Sequence, residues 1–207
     1  MIRRWSALAA LLAMVALVLG APPARADNDW KITRYDTTVT VDASGTSQVR
    51  VDFDFDFGRD PGHGPIIGLV QRQVDADPNR WRLLDIQVGD ISSPSGAPTN
   101  VQTKSDGDVL ILQIGDENRE VEGVQRYVVN YSIRGLIATN HATSGLDEFN
   151  FSAIGTAWEV PISGVTASVT GPVATSQVAC FYGRSYSETC TATADGDTVS
   201  FSAPDLS

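Results

Sequence analysis

Apolar and polar residues alternate with a period of two along most of the chain after residue 30. The alternation is strictest between Gln48 and Phe57, where every odd position is apolar and every even position is polar or charged. Successive residues of a β-strand point to opposite faces, so this segment is predicted to be a strand with an apolar inner face and a charged outer face. A slip of one residue would bury Asp52, Asp54 and Asp56, so the pattern also predicts which face is inward.

The same alternation recurs at residues 35–41, 84–88, 110–114, 127–133, 165–169 and 199–203. Residues 42–45 and the Asp-Gly pairs at 106–107 and 195–196 supply turn residues between these segments. No segment after residue 26 shows an apolar period of 3.6 residues over the length of a helix. Many short strands joined by such turns predict an all-β fold, an antiparallel β-sandwich. The residues predicted to point into its core are Phe53, Phe55, Tyr127, Tyr131 and Trp158.

Two stretches lack the alternation. Residues 58–68 contain His63 among glycines and prolines, and residues 92–100 contain Pro94, Gly96 and Pro98. Both are predicted to be loops, and the first is predicted to be exposed. Neither divides the chain into halves that each hold a full set of strands. A single domain over residues 27–207 is therefore predicted, long enough to bury a core without a structural metal.

The first 26 residues have the three-part layout of a secretory signal peptide. Arg3 and Arg4 precede an apolar run at residues 7–19, and an Ala-Arg-Ala segment at 24–26 provides a small-x-small cleavage site. A transmembrane anchor is the alternative, but the run is shorter than the roughly 20 residues needed to span a bilayer. We therefore predict a signal helix, residues 1–26, that is cleaved after Ala26. The remaining chain is expected to be secreted or to lie on the extracytoplasmic face of the cell membrane.

The charge balance limits the classes of partner expected for this protein. The chain has 15 basic and 25 acidic residues, and Arg3, Arg4 and Arg25 belong to the predicted signal peptide. The exported part therefore carries 12 basic against 25 acidic residues, a net charge of −13. Such a surface repels phosphate backbones and anionic headgroups. Nucleic acid is excluded as an expected partner.

Cys180 and Cys190 are the only cysteines, and both lie in the exported part. An even pair in an oxidising compartment predicts one disulfide. Its short loop gives a stabilisation of only about 2–3 kcal/mol in the chain-entropy treatment. A metal site is the alternative, but no histidine lies near either cysteine in the sequence.

Three aspartates lie on one face of the strand predicted at residues 48–57, and a calcium site is one interpretation of them. Calcium needs several oxygen ligands, so Asp52, Asp54 and Asp56 would require a further carboxylate such as Asp60 to converge on them. The favoured interpretation is a solvated acidic face that discourages edge pairing. The Asp-Gly-Asp segments at 106–108 and 195–197 do not continue into an EF-hand pattern and are interpreted as turns. No metal site and no cofactor are predicted.

Residues for nucleophilic catalysis are scarce. His63 and His141 are the only histidines, each in a loop-like segment, and no Gly-x-Ser-x-Gly elbow occurs. A triad assembled in space and a carboxylate pair of the glycosidase type remain open alternatives. Trp158 is interpreted as a core anchor, with a sugar-stacking platform as the alternative. No catalytic residue is assigned.

Short motifs along the exported part resemble a known family. In chain order they are Ile114-Gly115-Asp116, Gly123, Gln125-Arg126-Tyr127, Tyr131, Gly155 and Trp158-Glu159-Val160-Pro161-Ile162. Together with the strand pair at 32–57 and the two cysteines, they resemble the exported N-terminal domain of bacterial predicted membrane proteins called domain-of-unknown-function family 2207. The resemblance implies an extracytoplasmic β-domain with no established activity. It also implies membrane anchoring only through a segment beyond residue 207.

Three functions follow as hypotheses. The first is a non-catalytic extracytoplasmic domain of a bacterial envelope protein, with a binding or structural role and an envelope component or a protein as its partner. A secreted hydrolase acting on cell-envelope polymers is the alternative, and a calcium-dependent adhesion module is the third. A pocket with convergent polar groups would favour the enzyme, whereas a flat or edge-exposed surface would favour the first hypothesis.

Overall fold

The computed structural model describes residues 29–75, 80–141, 144–155, 158–183 and 186–206. Sixteen strands form the regular structure of these residues, and no helix occurs among them. In chain order the strands are β1 (Lys31–Val41), β2 (Ser47–Asp56), β3 (Ile66–Val70), β4 (Arg72–Val74), β5 (Trp81–Leu83), β6 (Asp85–Ser92), β7 (Val101–Asp106), β8 (Val109–Ile114), β9 (Val124–Arg134), β10 (Ile137–Ala138), β11 (Glu148–Phe149), β12 (Val165–Thr170), β13 (Phe181–Tyr182), β14 (Glu188–Thr189), β15 (Thr191–Asp195) and β16 (Thr198–Ala203). The predicted all-β fold is confirmed.

The predicted signal helix, residues 1–26, lies outside the described residues. Within the part of the chain that the structure describes, no helix is long and apolar enough to cross a membrane.

Seven strands form the largest sheet, in the order β15-β16-β12-β1-β2-β9-β6. Neighbouring strands are antiparallel except β1 and β12, which run parallel with Tyr35 opposite Val165. A parallel pair requires a long crossover, and ten strands separate β1 from β12 in the sequence. The antiparallel prediction therefore holds for every pair in this sheet but that one, because strand direction there depends on a distant connection.

The apolar core lies between the inner face of this sheet and a three-stranded sheet with the order β3-β8-β7. Inward residues of β1, β2 and β9 belong to the same buried cluster as Ile67 of β3 and Leu112 of β8. Ile67 is 2% exposed and Leu112 is completely buried. The second sheet therefore supplies the apolar surface that the inner face of the larger sheet requires.

Aromatic rings form the centre of the core. The Phe53 ring lies 5.7 Å from Tyr35, 5.6 Å from Tyr127 and 5.5 Å from Trp158, measured between ring centroids. Phe53 and Tyr127 are completely buried, and Trp158 is partly buried with its indole N–H donating to the Ile154 carbonyl at 2.8 Å. The inward orientation of Phe53, Phe55, Tyr127, Tyr131 and Trp158 is confirmed. Trp158 is thus a core anchor, as the favoured interpretation had it.

The predicted turns are confirmed. Two-residue connections at 107–108 and 196–197 join β7 to β8 and β15 to β16. Gly107 and Gly196 have φ angles of 57° and 61°, the left-handed region in which glycine has no steric penalty. In the first hairpin, the Asp42 carboxylate accepts hydrogen bonds from the Ser44 and Thr46 backbone N–H groups at 2.8 and 3.0 Å. These contacts close the turn between β1 and β2.

The predicted exposed loop at 58–68 is only partly correct. Its last three residues begin β3, and Ile67 is buried in the core. Gly62 is also buried, and its backbone pairs with Val121 in an isolated antiparallel bridge. Because glycines and prolines are typical of loops, the sequence pattern did not predict the short strand that follows them.

The predicted disulfide is present. Cys180 and Cys190 are bonded and close a hairpin made of β13 and β14. Phe181 is paired with Thr189, and β15 begins immediately after Cys190. The disulfide therefore lies at the periphery, just before the edge strand of the large sheet.

Candidate functional site

The outer face of the seven-stranded sheet, opposite the aromatic core, is a polar surface. In β1 and β16, outward side chains alternate with more deeply buried ones, as the period-two pattern requires. β15, at the edge of the sheet, is exposed at four of its five residues. Thr193, Ser200, Thr38 and Arg50 are all exposed, and they lie on four of the five successive strands from β15 to β2. The structure thus presents an accessible surface of hydrogen-bonding groups.

Part of this face is a regular array that we call the hydroxyl grid. Strand register aligns outward side chains in three rows across β15, β16, β12 and β1. The rows are Thr191, Ser202, Thr166 and Asp36; Thr193, Ser200, Ser168 and Thr38; and Asp195, Thr198, Thr170 and Thr40. Neighbouring positions are about 5 Å apart across the strands and about 7 Å apart along them. All members except the two aspartates are serine or threonine, which both donate and accept hydrogen bonds.

Beside the grid lies a second feature, the arginine–aspartate cluster, formed by Arg34 of β1, Arg50, Asp52 and Asp54 of β2, and Arg126 of β9. Arg126 donates to Asp52 through Nε at 2.8 Å and Nη2 at 2.7 Å. Arg34 Nη2 and Arg50 Nη2 donate to the same carboxylate at 2.6 and 3.0 Å. Arg34 also forms a two-pronged contact with Asp54, at 2.9 and 3.0 Å. Three guanidinium groups therefore converge on two carboxylates.

Hydrogen bonds within the cluster change the pKa values of three of its members, Asp52, Arg34 and Arg126. The hydrogen bonds from Arg126, together with those from Arg34, hold the pKa of Asp52 well below its ordinary value, although burial acts in the opposite direction. Asp54 raises the pKa of Arg34, and Asp52 raises that of Arg126. With three cations and two anions the cluster carries a net charge of +1 in a chain of net charge −10. Its guanidinium groups are therefore suited to binding an acidic or carbonyl group.

Donor groups remain available at the surface of the cluster. The side chains of Arg50 and Arg126 are 48% and 47% exposed. A guanidinium has five N–H donors, and Arg126 uses two of its nitrogens on Asp52 whereas Arg50 uses one. The remaining donors form a planar fork of the kind that binds carboxylates and phosphates.

The interpretation of Asp52, Asp54 and Asp56 as a solvated acidic face is wrong. Asp52 is only 6% exposed, and both of its carboxylate oxygens accept from guanidinium groups. β2 is also a central strand and not an edge. No group of residues suited to a metal ion occurs in the described part of the chain. The even positions of the sequence pattern located Arg50 and Asp52 on one face, but only the pairing with β1 and β9 brings Arg34 and Arg126 to them.

The two histidines lie in separate environments. His63 is about half exposed, with Nδ1 3.1 Å from the Asp116 carbonyl and Nε2 3.8 Å from Glu120. His141 Nδ1 lies 3.3 Å from Glu148, whose carboxylate also accepts from the Ser144 hydroxyl. Among the described residues, no hydroxyl is hydrogen-bonded to either imidazole.

A small recess is present near the inner face. It has a volume of about 20 Å³ and is lined mainly by apolar side chains, with Leu69, Tyr131 and Leu136 among them. Gln73 also lines it, and its buried Oε1 has no hydrogen-bond partner in the described structure. This volume accommodates about one water molecule and no organic substrate.

Comparison with known proteins adds a family and a fold. A family profile described as "Predicted membrane protein (DUF2207) N-terminal domain" matches residues 31–207. Comparison with curated protein sequences finds no match.

Among solved structures, the chain is similar to native yeast LTA4 hydrolase, with a TM-score of 0.51 and 12% sequence identity over 89% of this chain and 30% of that one. It is also similar to an M1 zinc metallopeptidase from Deinococcus radiodurans (TM-score 0.42, 14% identity, 84% and 38% coverage). A putative protease from Parabacteroides distasonis gives a TM-score of 0.43 with 11% identity and 86% and 36% coverage. The chain spans about a third of the length of each of these proteins. At 12% identity, the likeness to the yeast protein shows a shared fold and says nothing of peptidase activity in this chain.

Proposed function

The chain belongs to the DUF2207 family of predicted membrane proteins, and on that basis we propose that residues 27–207 form a non-catalytic extracytoplasmic domain that binds a polar component of the bacterial cell envelope. The observation that carries the proposal is the exposed outer face of the seven-stranded sheet, where the hydroxyl grid adjoins the arginine–aspartate cluster. A broad flat surface of this kind fits a polymer better than a small molecule, which is usually bound in a concave pocket.

The chemistry of the face indicates the class of ligand. Serine and threonine hydroxyls at regular spacing complement the hydroxyl and amide groups of a glycan. The free donors of Arg50 and Arg126 complement a carboxylate or an amide carbonyl. The formal charge of the cluster is +1, whereas the chain as a whole has a net charge of −10. A hydroxyl-rich, carboxylate-bearing envelope polymer, such as peptidoglycan, combines these features.

Co-sedimentation with isolated peptidoglycan tests the proposal. The protein is expected to sediment with the polymer, and Arg50→Gln is expected to weaken binding roughly tenfold by removing one charged donor. This substitution costs a single 3.0 Å contact with Asp52, so the fold is retained. Arg72→Gln is the matched control, because Arg72 is 43% exposed and paired with Asp108 at 3.2 Å away from this face.

A second pair of variants separates the hydroxyl grid from the cluster. Ser200→Glu places a negative charge in the middle row of the grid and is expected to weaken binding to the carboxylate-bearing polymer. Gln102→Glu adds the same charge to an exposed position of β7 and is expected to leave binding unchanged. Equal binding by all four variants, or no sedimentation of the wild-type protein, would contradict the proposal. Release of soluble fragments from the polymer would contradict its non-catalytic part.

A further inference from the structure

The hairpin closed by Cys180 and Cys190 exposes two aromatic rings. Phe181 is 55% exposed and Tyr186 is 67% exposed. Phenylalanine is among the residues most often buried, and the aromatic core of this protein is complete without these two rings. The disulfide holds the hairpin as a compact projection, with Cys190 N–H donating to the Cys180 carbonyl at 3.2 Å. We call Phe181 and Tyr186 the aromatic tip.

Topology locates the aromatic tip at one end of the large sheet. β15 begins at Thr191, one residue after Cys190, and Thr191 is paired with Ser202 near the end of β16. The chain then continues to Leu206, which exchanges backbone hydrogen bonds with Ile162 at 2.7 and 2.9 Å. The tip and the C-terminal end of the described chain therefore lie at the same end of the sheet.

The opposite end of the large sheet provides a control position for comparison with the aromatic tip. The turn between β15 and β16 lies there, and Thr175 N–H donates to the Gly196 carbonyl at 2.9 Å. Val173 lies between Gly171 and Thr175, whose N–H groups donate to the Asp197 and Gly196 carbonyls of this turn, and it is 73% exposed. Its side chain is aliphatic, whereas the tip is aromatic and carries a hydroxyl.

The family is described as the N-terminal domain of a predicted membrane protein, and in such a protein the rest of the chain follows this domain. We infer that the aromatic tip contacts the lipid–water interface of the bilayer and orients the domain with this end of the sheet toward the membrane. Aromatic side chains are enriched at that interface, where the ring lies among acyl chains and a tyrosine hydroxyl reaches the headgroups. Glu188, which is paired with Tyr182 in the same hairpin, favours zwitterionic over anionic headgroups. The inference is independent of the ligand proposed for the outer face.

Fluorescence quenching by brominated lipids tests the contact. Residues 27–207, the chain without its predicted signal peptide, carry a C-terminal histidine tag and are held on phosphatidylcholine vesicles that contain nickel-chelating lipid. The tag tethers the C-terminal end of the domain to the bilayer. Phe181→Trp adds a fluorophore at the tip, and Val173→Trp adds a matched one at the opposite end. Relative to the wild-type protein, the added fluorescence of Phe181→Trp is expected to be quenched at least about twofold more strongly by bromine in the acyl chains than that of Val173→Trp.

Further measurements keep the test decisive. Tyr186→Trp is expected to reproduce the quenching of Phe181→Trp, and intact mass under alkylation identifies the variants that retain the disulfide. Adding anionic phosphatidylglycerol is expected to reduce the quenching. Equal quenching at positions 173 and 181, or none at position 181 in a disulfide-bonded variant, would overturn the inference and indicate a protein partner for the tip or none.

Discussion

The two faces of β2 are stabilised by different kinds of interaction. On the inner face, Phe53 is completely buried and contacts three aromatic rings at centroid distances of 5.5 to 5.7 Å. On the outer face, its neighbour Asp52 is 6% exposed and accepts hydrogen bonds from three arginines. Apolar burial is non-directional, whereas the outer face depends on charge geometry and on both partners remaining ionised. We therefore expect the contribution of the inner face to stability to be independent of pH. The contribution of the outer face is expected to depend on pH.

The largest expected effect is on the inner face. Phe53→Ala removes the ring that contacts Tyr35, Tyr127 and Trp158, so it is expected to lower the free energy of unfolding by about 3–5 kcal/mol. Urea unfolding followed by circular dichroism measures this change. Phe181→Ala is the matched control, because that ring is 55% exposed. Its expected effect is within about 0.5 kcal/mol. Similar losses in the two variants would refute the aromatic core as the main source of stability.

The outer face is expected to contribute less. Asp52→Asn leaves Arg34, Arg50 and Arg126 around a neutral amide, and we expect a loss of about 2–3 kcal/mol in the free energy of unfolding. The Asp54 side chain is 25% exposed and is bonded to Arg34 alone among these arginines, so Asp54→Asn is expected to lose about 1 kcal/mol. Urea unfolding at neutral pH compares the two. A larger loss for Asp54→Asn would show that Asp52 is not the centre of the cluster.

The pH dependence distinguishes the two faces directly. Because folding lowers the pKa of Asp52, its contribution to stability is complete above the pKa of the unfolded chain and is lost as pH falls through the lower folded-state pKa. The difference in unfolding free energy between the wild-type protein and Asp52→Asn is therefore expected to be constant above about pH 5 and to shrink below about pH 4. The corresponding difference for Phe53→Ala should not change over this range. A constant difference for Asp52→Asn down to pH 2.5 would contradict the assigned pKa shift.

The inner face was predictable from sequence because it follows from local periodicity. The alternation in β2 determines which side chains share a face. Asp52 stays out of the core only if the odd positions, including Phe53, point inward. The outer face was not predictable to the same degree. Arg34 and Arg126 lie 18 and 74 residues from Asp52 in the sequence. Strand order and register bring them together, and no local pattern encodes either.

Strands without apolar alternation were also missed. β7 is exposed at every residue and is paired only with β8 at the edge of its sheet. β15 is the edge strand of the large sheet and consists of threonine, alanine and aspartate. An edge strand with little burial has no apolar face, so periodicity cannot reveal it. The hydroxyl grid was overlooked for the same reason, since β15 supplies one of its columns.

The smallest expected effect concerns a polar atom within the inner face itself. The Tyr127 and Tyr35 rings both stack on the Phe53 ring, at centroid distances of 5.6 and 5.7 Å. The Tyr35 hydroxyl donates to the Ile154 carbonyl at 3.1 Å, whereas the buried Tyr127 hydroxyl has no hydrogen-bond partner in the described structure. Burial raises the pKa of Tyr127 to about 12, so the hydroxyl stays protonated at neutral pH.

Removing each hydroxyl should therefore have opposite consequences. Tyr35→Phe is expected to lower the free energy of unfolding by about 1 kcal/mol, because it leaves the Ile154 carbonyl without this donor. Tyr127→Phe is expected to leave stability unchanged or raise it by up to about 1 kcal/mol, because a desolvated and unpaired hydroxyl disappears while the ring contact remains. Urea unfolding of the two variants in parallel measures the contrast. A loss greater than about 1 kcal/mol in Tyr127→Phe would mean that a hydrogen-bonded partner, such as a buried water, serves this hydroxyl and that the inner face also depends on a directional polar contact.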